Sequence, residues 1–487
     1  MASSNRTKLL SATAYVQMAN SSRQMVASPP PRQHFLFVTD PIQSHVNSAR
    51  RLAARVAAAM PNARVTFSTA VSCHRVMFPH LKSPDGEVLQ GVVSYIPYSD
   101  GFDGGFNPEV HGGADAYWPR ARAVGSETLC AVVALLAGRG RPVTRVVYTA
   151  LVGWVPDVVC AQGVSVALYW AKPATAFAVY HHYFHGHAEL LAACASDPSP
   201  DAAVRLPGLA PLKRDALPSF ASMASPGKRH YLTLGMLRDL FSALDEHGST
   251  VLVDTFDALE PDALRAVPQL DVVAVGPVAA GEPRKRCVDL LLARDAKACM
   301  EWLDTKPPRS VVYASFGSIL SVSKRQEEEM RRGLDATGRP YLWVARRITN
   351  GGGGDGERAR VVEWCDQRRV LSHPAVGCFV THCRWDSTLE SLTGGVPMVA
   401  VPRWADQTTV AALVEESAGL GVRARVDAEG VMSRGELQRC VEIVMGGADG
   451  AAVSVREWAE RWARLAEAAV SAGGTSERNL RAFASEA

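Results

Sequence analysis

The chain has 487 residues, 47% of them apolar and 21% charged, with a formal net charge of +3. Single cores rarely grow past ~250–300 residues, so two or more domains are expected. The near-neutral balance and the lack of a Lys/Arg run argue against nucleic acid as a partner, and no apolar stretch approaches the ~18 residues of a membrane span.

The 10 cysteines are scattered from Cys73 to Cys440 without CxxC spacing, which predicts reduced, buried thiols and a cytoplasmic protein. Residues 1–39 carry no Asp or Glu but include Arg6, Lys8, Arg23 and Arg32. This composition resembles a chloroplast transit peptide only weakly, and a disordered extension over 1–32, with Met25 as an alternative start, is the simpler reading.

From residue 33 onward the pattern is βα alternation. Short apolar runs at His34–Thr39, Arg64–Thr69, Val92–Ile96, Arg145–Tyr148, Ser165–Trp170, Val251–Asp254 and Val272–Gly276 predict strands. Between them, stretches such as Val46–Ala58 repeat apolar residues at three- and four-residue spacing and predict helices. The polar GEPRKR stretch after Gly276-Pro277 reads as an interdomain linker over 279–308. A second series of strands follows at Ser310–Ser315, Tyr341–Ala345, Val361–Val362, Cys378–Thr381, Met398–Val401 and Val422–Arg425, with a glycine loop at Gly351–Gly354. Ala451–Ala472 and Ser476–Ser485 read as terminal helices, with 461–487 expected to return to the first domain. The fold class is therefore α/β, with two doubly wound Rossmann-like domains, 33–278 and 309–460, facing a cleft. Ligands are expected at the carboxyl ends of both sheets.

Trp364 to Gln407 is the most informative segment. Trp364 can stack on a base, and Gln367 can hydrogen-bond a base edge or ribose. His382 ends a strand, and Ser387 enters a helix whose first amides suit a pyrophosphate. Glu390, three residues on, can accept from a ribose diol. Asp406 and Gln407 follow another strand and suit sugar hydroxyls. Together they describe a site for a nucleotide-activated sugar.

This segment resembles the C-terminal signature box of the plant UDP-dependent glycosyltransferases that act on small molecules. The similarity extends to LDTKP at 303–307, SVVYASFGS at 310–318 and RRGLDATGRPYLWVAR at 331–346. The resemblance implies the two-domain GT-B fold, inverting transfer from UDP-glucose as donor substrate, and no cofactor or metal. It also implies that the first domain binds the acceptor and the second the UDP-sugar. It places Trp364 on uracil, Gln367 on the nucleoside, Ser318, His382 and Ser387 on the phosphates, Glu390 on the ribose, and Asp406 and Gln407 on the sugar. Cys365, Trp385 and Asp386, in the same box, complete the expected donor-binding set. A monomer with a small-molecule acceptor is expected.

Two positions depart from the family's HCGWNS: Arg384 stands for Gly and Asp386 for Asn. A carboxylate beside the pyrophosphate predicts weaker donor binding, unless Arg384 offsets it or Asp386 acts as an N-cap. Arg384 also replaces a glycine that the backbone would need if φ were positive there. These departures keep open a catalytically impaired UDP-sugar binder. A dinucleotide-dependent oxidoreductase is disfavoured, since TDPIQSH after the first strand lacks GxGxxG.

In the first domain, the strand end runs into Asp40-Pro41-Ile42-Gln43-Ser44-His45. The resemblance to a PxQGH motif makes His45 the general base. Thr149 stands where many members carry the Asp that orients that base. A hydroxyl can orient the ring but brings no charge, which favours an acceptor that arrives ionised. The stretches 65–78, 95–106 and 146–154 resemble a subgroup with indole-3-acetate and crocetin glucosyltransferases and anthocyanin 5-O-glucosyltransferases. A glucose ester of a carboxylic acid is therefore the leading expectation, and a flavonoid glucoside the alternative. Lys172 is a candidate for the acceptor carboxylate, although a solvated surface lysine is the simpler reading, and Tyr117 and Trp118 are candidates for aromatic lining. The His181–His187 run lacks a completing carboxylate arrangement and reads as helix and pocket wall.

Overall fold

The structure, a computed structural model, describes residues 33–81, 83, 85–222, 231–280, 296–317, 323–345, 356–446 and 450–486. The expected phosphate ligand Ser318, the GEPRKR stretch and the Gly351–Gly354 loop lie outside these residues.

The first sheet contains β1 (His34–Val38), β2 (Arg64–Ser68), β3 (Val88–Gln90), β4 (Val93–Tyr95), β5 (Arg145–Thr149) and β6 (Ser165–Trp170). After a small ribbon, β7 (Ala203–Val204) with β8 (Leu212–Lys213), it is completed by β9 (Thr250–Val253) and β10 (Val272–Ala274). Its order is β10-β9-β6-β5-β1-β2-β4-β3, parallel except for β3 against β4. The second sheet is wholly parallel: β11 (Val311–Ser315), β12 (Tyr341–Val344), β13 (Ala359–Val362), β14 (Val376–Thr381), β15 (Met398–Ala400) and β16 (Gly421–Arg423), in the order β13-β12-β11-β14-β15-β16.

The apolar runs explain why these strands are central. In β1, Phe35 and Phe37 pack with Leu52 and Val56 of the helix Gln43–Ala59. Its alternate residues Leu36 and Val38 pack with Leu129 and Leu136 on the opposite face. In β11, Val312 and Ala314 meet Met330, Leu334 and Val441, while Val311 and Tyr313 meet Leu389 and Trp462. Period-two alternation is thus spent between two helical layers, the signature of a sheet covered on both sides.

Each sheet has a point where successive crossovers leave in opposite directions. In the first it lies between β1 and β5, and in the second between β11 and β14. Residues after those strands face the crevice where doubly wound folds bind ligands. His45 follows β1, and His382 follows β14.

At the terminus, the helix Gly450–Val470 stays with the second sheet, where Trp462 packs in its core. Only the helix Thr475–Ser485 reaches the first sheet, placing Leu480 and Phe483 beside Phe35. The crossing therefore falls at Ser471–Gly474 rather than at residue 461. The helix Gly113–Gly138 corrects another expectation, because its length and apolar composition do suffice for a membrane crossing. Its Leu129, Val133 and Leu136 are buried in the first core, the ordinary use of such a face.

Candidate active site

Two cavities meet between the sheets. The first, about 250 Å³, is lined by Ser44, His45 and Ser48 after β1, by Lys172 after β6, and by His382, Trp385, Asp386, Asp406 and Gln407 from the second lobe. The second, about 180 Å³, is lined by Trp364, Cys365, Gln367, His382, Asp386, Ser387 and Glu390, with Asn47 and Arg51 opposite. Ser44, His382, Arg384 and Asp386 line both, so they mark the junction.

In the second cavity the candidate nucleoside readers bond one another. Gln367 Nε2 donates to Ser387 Oγ at 2.9 Å and to Glu390 Oε2 at 3.0 Å, and its carbonyl accepts from Tyr313 at 3.3 Å. Glu390 Oε1 accepts from Arg51 across the cleft at 3.2 Å. The arrangement presents amide, hydroxyl and carboxylate at one edge, with the Trp364 ring beside them. Cys365 is buried with its thiol 3.3 Å from the Tyr313 hydroxyl.

The junction is built on the turn between β14 and the helix Trp385–Gly394. His382 is buried against Gly317, whose φ of +73° and proximity leave no room for a Cβ: one would sit 2.9 Å from the imidazole. Burial, and then the neighbouring Arg384, push the His382 pKa down to about 4. His382 therefore offers a neutral N–H donor, not a cation. Trp385 is a structural pin, because its buried indole donates to the Asp254 carbonyl at 2.6 Å and ties the lobes together.

The two unusual residues are now placed. The positive φ belongs to Cys383, at 63°, whereas Arg384 is the helix N-cap residue at φ −66°. The backbone does not demand glycine at 384, which corrects the sequence expectation. Asp386 lies inside the first turn, so it is not an N-cap either. Arg384 hydrogen-bonds Ser44 Oγ across the cleft, and its Nε lies 3.4 Å from Asp386 Oδ1. Burial pushes the Asp386 pKa up, but Arg384, His382 and the Ser387 amide outweigh it and hold it below the usual carboxylate range. Asp386 is thus a carboxylate with its counter-charge already beside it.

In the first cavity, Asp406 accepts from Lys172 Nζ at 2.6 Å, a contact between lobes. Gln407 turns its carbonyl to the amides of Arg403 (2.8 Å) and Trp404 (3.2 Å), which leaves its NH2 for the cavity. Lys172 and Trp118 line this cavity, so Lys172 is not merely a surface lysine. Tyr117 is buried instead, with its hydroxyl on Asp100 Oδ2 at 2.9 Å.

The largest correction concerns His45. Its Nδ1 lies 2.8 Å from Asp40 Oδ2, and Asp40 is nearly fully buried. Thr149 does not orient the imidazole: its single O–H lies between the same Asp40 oxygen at 3.3 Å and Thr39 Oγ1 at 3.2 Å and is shared by them. A carboxyl partner for the candidate base is therefore present, five residues before it. The inference of an ionised acceptor from Thr149 alone loses its footing. An acidic residue at the strand end, one turn before a candidate base, was the available signal.

The His181–His187 run is a kinked helix in which His181 stacks on His185 at 3.9 Å. Among the described residues, Asp157, Glu246 and His247 do gather ligand-type atoms, and the two carboxylates are exposed.

Comparison with known proteins gives this geometry its context. Residues 293–449 match the family described as UDP-glucoronosyl and UDP-glucosyl transferase. The chain is 39% identical over 472 residues to anthocyanidin 3-O-glucoside 5-O-glucosyltransferase 1 of Perilla frutescens, spanning 93% of this chain and 98% of the relative. It is 36% identical over 475 residues to the chloroplastic crocetin glucosyltransferase of Gardenia jasminoides, spanning 94% and 98%. Among solved structures, Os79 from O. sativa in complex with UDP matches with a TM-score of 0.78 at 28% identity, covering 93% of this chain and 100% of that one.

Proposed function

This chain belongs to the UDP-dependent glycosyltransferases, with the two-domain GT-B fold of that family, and on that premise we propose that it moves glucose from UDP-glucose to the carboxyl group of a small lipophilic acid. The observation carrying the proposal is the junction of the two cavities: the nucleoside-reading residues lie on one side and His45 with Lys172 on the other. Uracil stacks on Trp364, and Gln367 and Glu390 hold the nucleoside. The diphosphate meets the first turn of the helix Trp385–Gly394, with His382 and Ser387 donating. Asp406 and Gln407 hold the hexose over the junction.

The acceptor oxygen attacks the anomeric carbon from the face opposite UDP. The new C–O bond forms as the bond to the diphosphate breaks, UDP departs, and the configuration inverts. A hydroxyl acceptor gives its proton to His45 Nε2, whereas a carboxylate arrives without one. Lys172 and Arg384 line the acceptor side already paired with Asp406 and Asp386, and they support the acid reading only as donors that an acceptor carboxylate can share. The relationship to a crocetin glucosyltransferase also supports it. The Asp40–His45 pair favours a second reading, a flavonoid-type hydroxyl, because it equips the base for a neutral nucleophile.

The two readings separate in one assay. Purified protein is incubated with UDP-glucose and matched aromatic acids and phenols, and conjugates are detected by mass and tested with alkali. The acid reading predicts higher kcat/KM for acids and alkali-labile products. A preference for phenols, with alkali-stable products, overturns it.

A further inference from the structure

We infer that Asp40 is the positioning residue for the base His45, holding the imidazole in the tautomer whose Nε2 accepts the proton. The inference rests on the reading of His45 as base, but not on which acceptor is used.

Asp40 has two carboxylate oxygens with separate tasks. Oδ1 accepts from the Ile42 amide at 2.9 Å, which closes the turn leading into the helix Gln43–Ala59. Oδ2 accepts from His45 Nδ1 at 2.8 Å and from the Thr149 hydroxyl at 3.3 Å. Ionised carboxylate oxygens only accept, so Nδ1 carries the hydrogen and Nε2 keeps its lone pair. His45 lines the first cavity, so that lone pair is the one available to an incoming hydroxyl. Thr149, at the position that the resemblance gives to an acid, acts one step further out by fixing the Asp40 carboxylate. The acid has moved from the end of β5 to the end of β1, and the hydroxyl has taken its former place.

A purely structural Asp40 would need only Oδ1 for the turn. Asp40→Asn preserves that oxygen and the side chain's shape. It exchanges the acceptor facing Nδ1 for an NH2 donor, which favours the opposite tautomer. A misassigned tautomer of this kind costs a histidine base about 10²–10⁴-fold in turnover.

The test uses the full chain and three nucleophiles: water (release of UDP from UDP-glucose alone), p-cresol, and pentafluorophenol, which is already ionised at neutral pH. Asp40→Asn should slow the reactions with water and p-cresol by about 10²-fold or more and that with pentafluorophenol only a few-fold. UDP affinity by calorimetry should be unchanged. Adding Thr149→Asp should recover at least about a tenfold part of the loss, since that side chain already touches Asp40. Nitrogen–proton correlation spectra of the histidine rings, with His45 assigned through His45→Gln, should show its hydrogen leave Nδ1 for Nε2 in Asp40→Asn. Equal losses on all three nucleophiles, no loss, or an unchanged His45 tautomer would overturn the inference. If His45→Gln itself leaves the water reaction untouched, the base assignment fails, while the tautomer spectrum still judges the Asp40 contact.

Discussion

His45→Ala lowers kcat on a hydroxyl acceptor by about 10²–10⁴-fold, the usual worth of a positioned general base. The same variant loses only a few-fold on a carboxylic acid, because that nucleophile is ionised at neutral pH and brings no proton to remove. KM for UDP-glucose should hardly move, since His45 lines the first cavity and not the second. The measurement is steady-state UDP release with one acid and one phenol, with UDP affinity as the control for folding. Equal losses on both acceptors would show that His45 shapes the cavity and does not act as a base.

Arg384→Gly raises the KM for UDP-glucose by about 10–100-fold. It strips the Asp386 carboxylate of the guanidinium 3.4 Å away, in the turn where the diphosphate is proposed to bind. Two unit charges ~5 Å apart at an effective dielectric of ~20 repel by about 3 kcal/mol, and solvent at this partly exposed site screens part of that. Asp386→Asn acts in the opposite sense, because it leaves the cation free to meet the diphosphate. The double variant should fall modestly below the natural KM, because loss of the cation and loss of the carboxylate offset one another. The pairing bears on the sequence expectation of weak donor binding, because Arg384 sets a counter-charge beside Asp386. A double variant whose KM stays as high as that of Arg384→Gly, or no response to Arg384→Gly, would refute this. Kinetic constants for the four proteins decide it.

Most of the frame was legible in the chain because parallel strands buried on both faces are short, continuous apolar runs. Ser165–Trp170 reads as a strand with no ambiguity, and the structure has β6 at those residues. β3 escaped notice because Val88–Gln90 is a three-residue antiparallel edge with two exposed positions. The clustering of the candidate donor segment was readable since its groups lie close in sequence on consecutive strand ends, and seven of them line one cavity. What sequence spacing could not convey was contact across the cleft. Arg51 with Glu390, Ser44 with Arg384, and Lys172 with Asp406 join residues more than two hundred positions apart. Asp40 was hidden for a different reason. A residue before proline at a strand end ordinarily serves the turn, and only the folded loop shows its second oxygen on His45.

The central claim, that one uridine diphosphate site and one base face each other across the junction, is tested most directly by a crystal structure with UDP. The account predicts the uracil against Trp364, the ribose hydroxyls on Glu390 with its Arg51 contact rearranged, and the diphosphate at His382, Ser387 and the first turn of Trp385–Gly394. His45 should lie across the cleft from the terminal phosphate with Asp40 still on Nδ1. UDP bound elsewhere, or turned so that its terminal phosphate points away from His45, would contradict it.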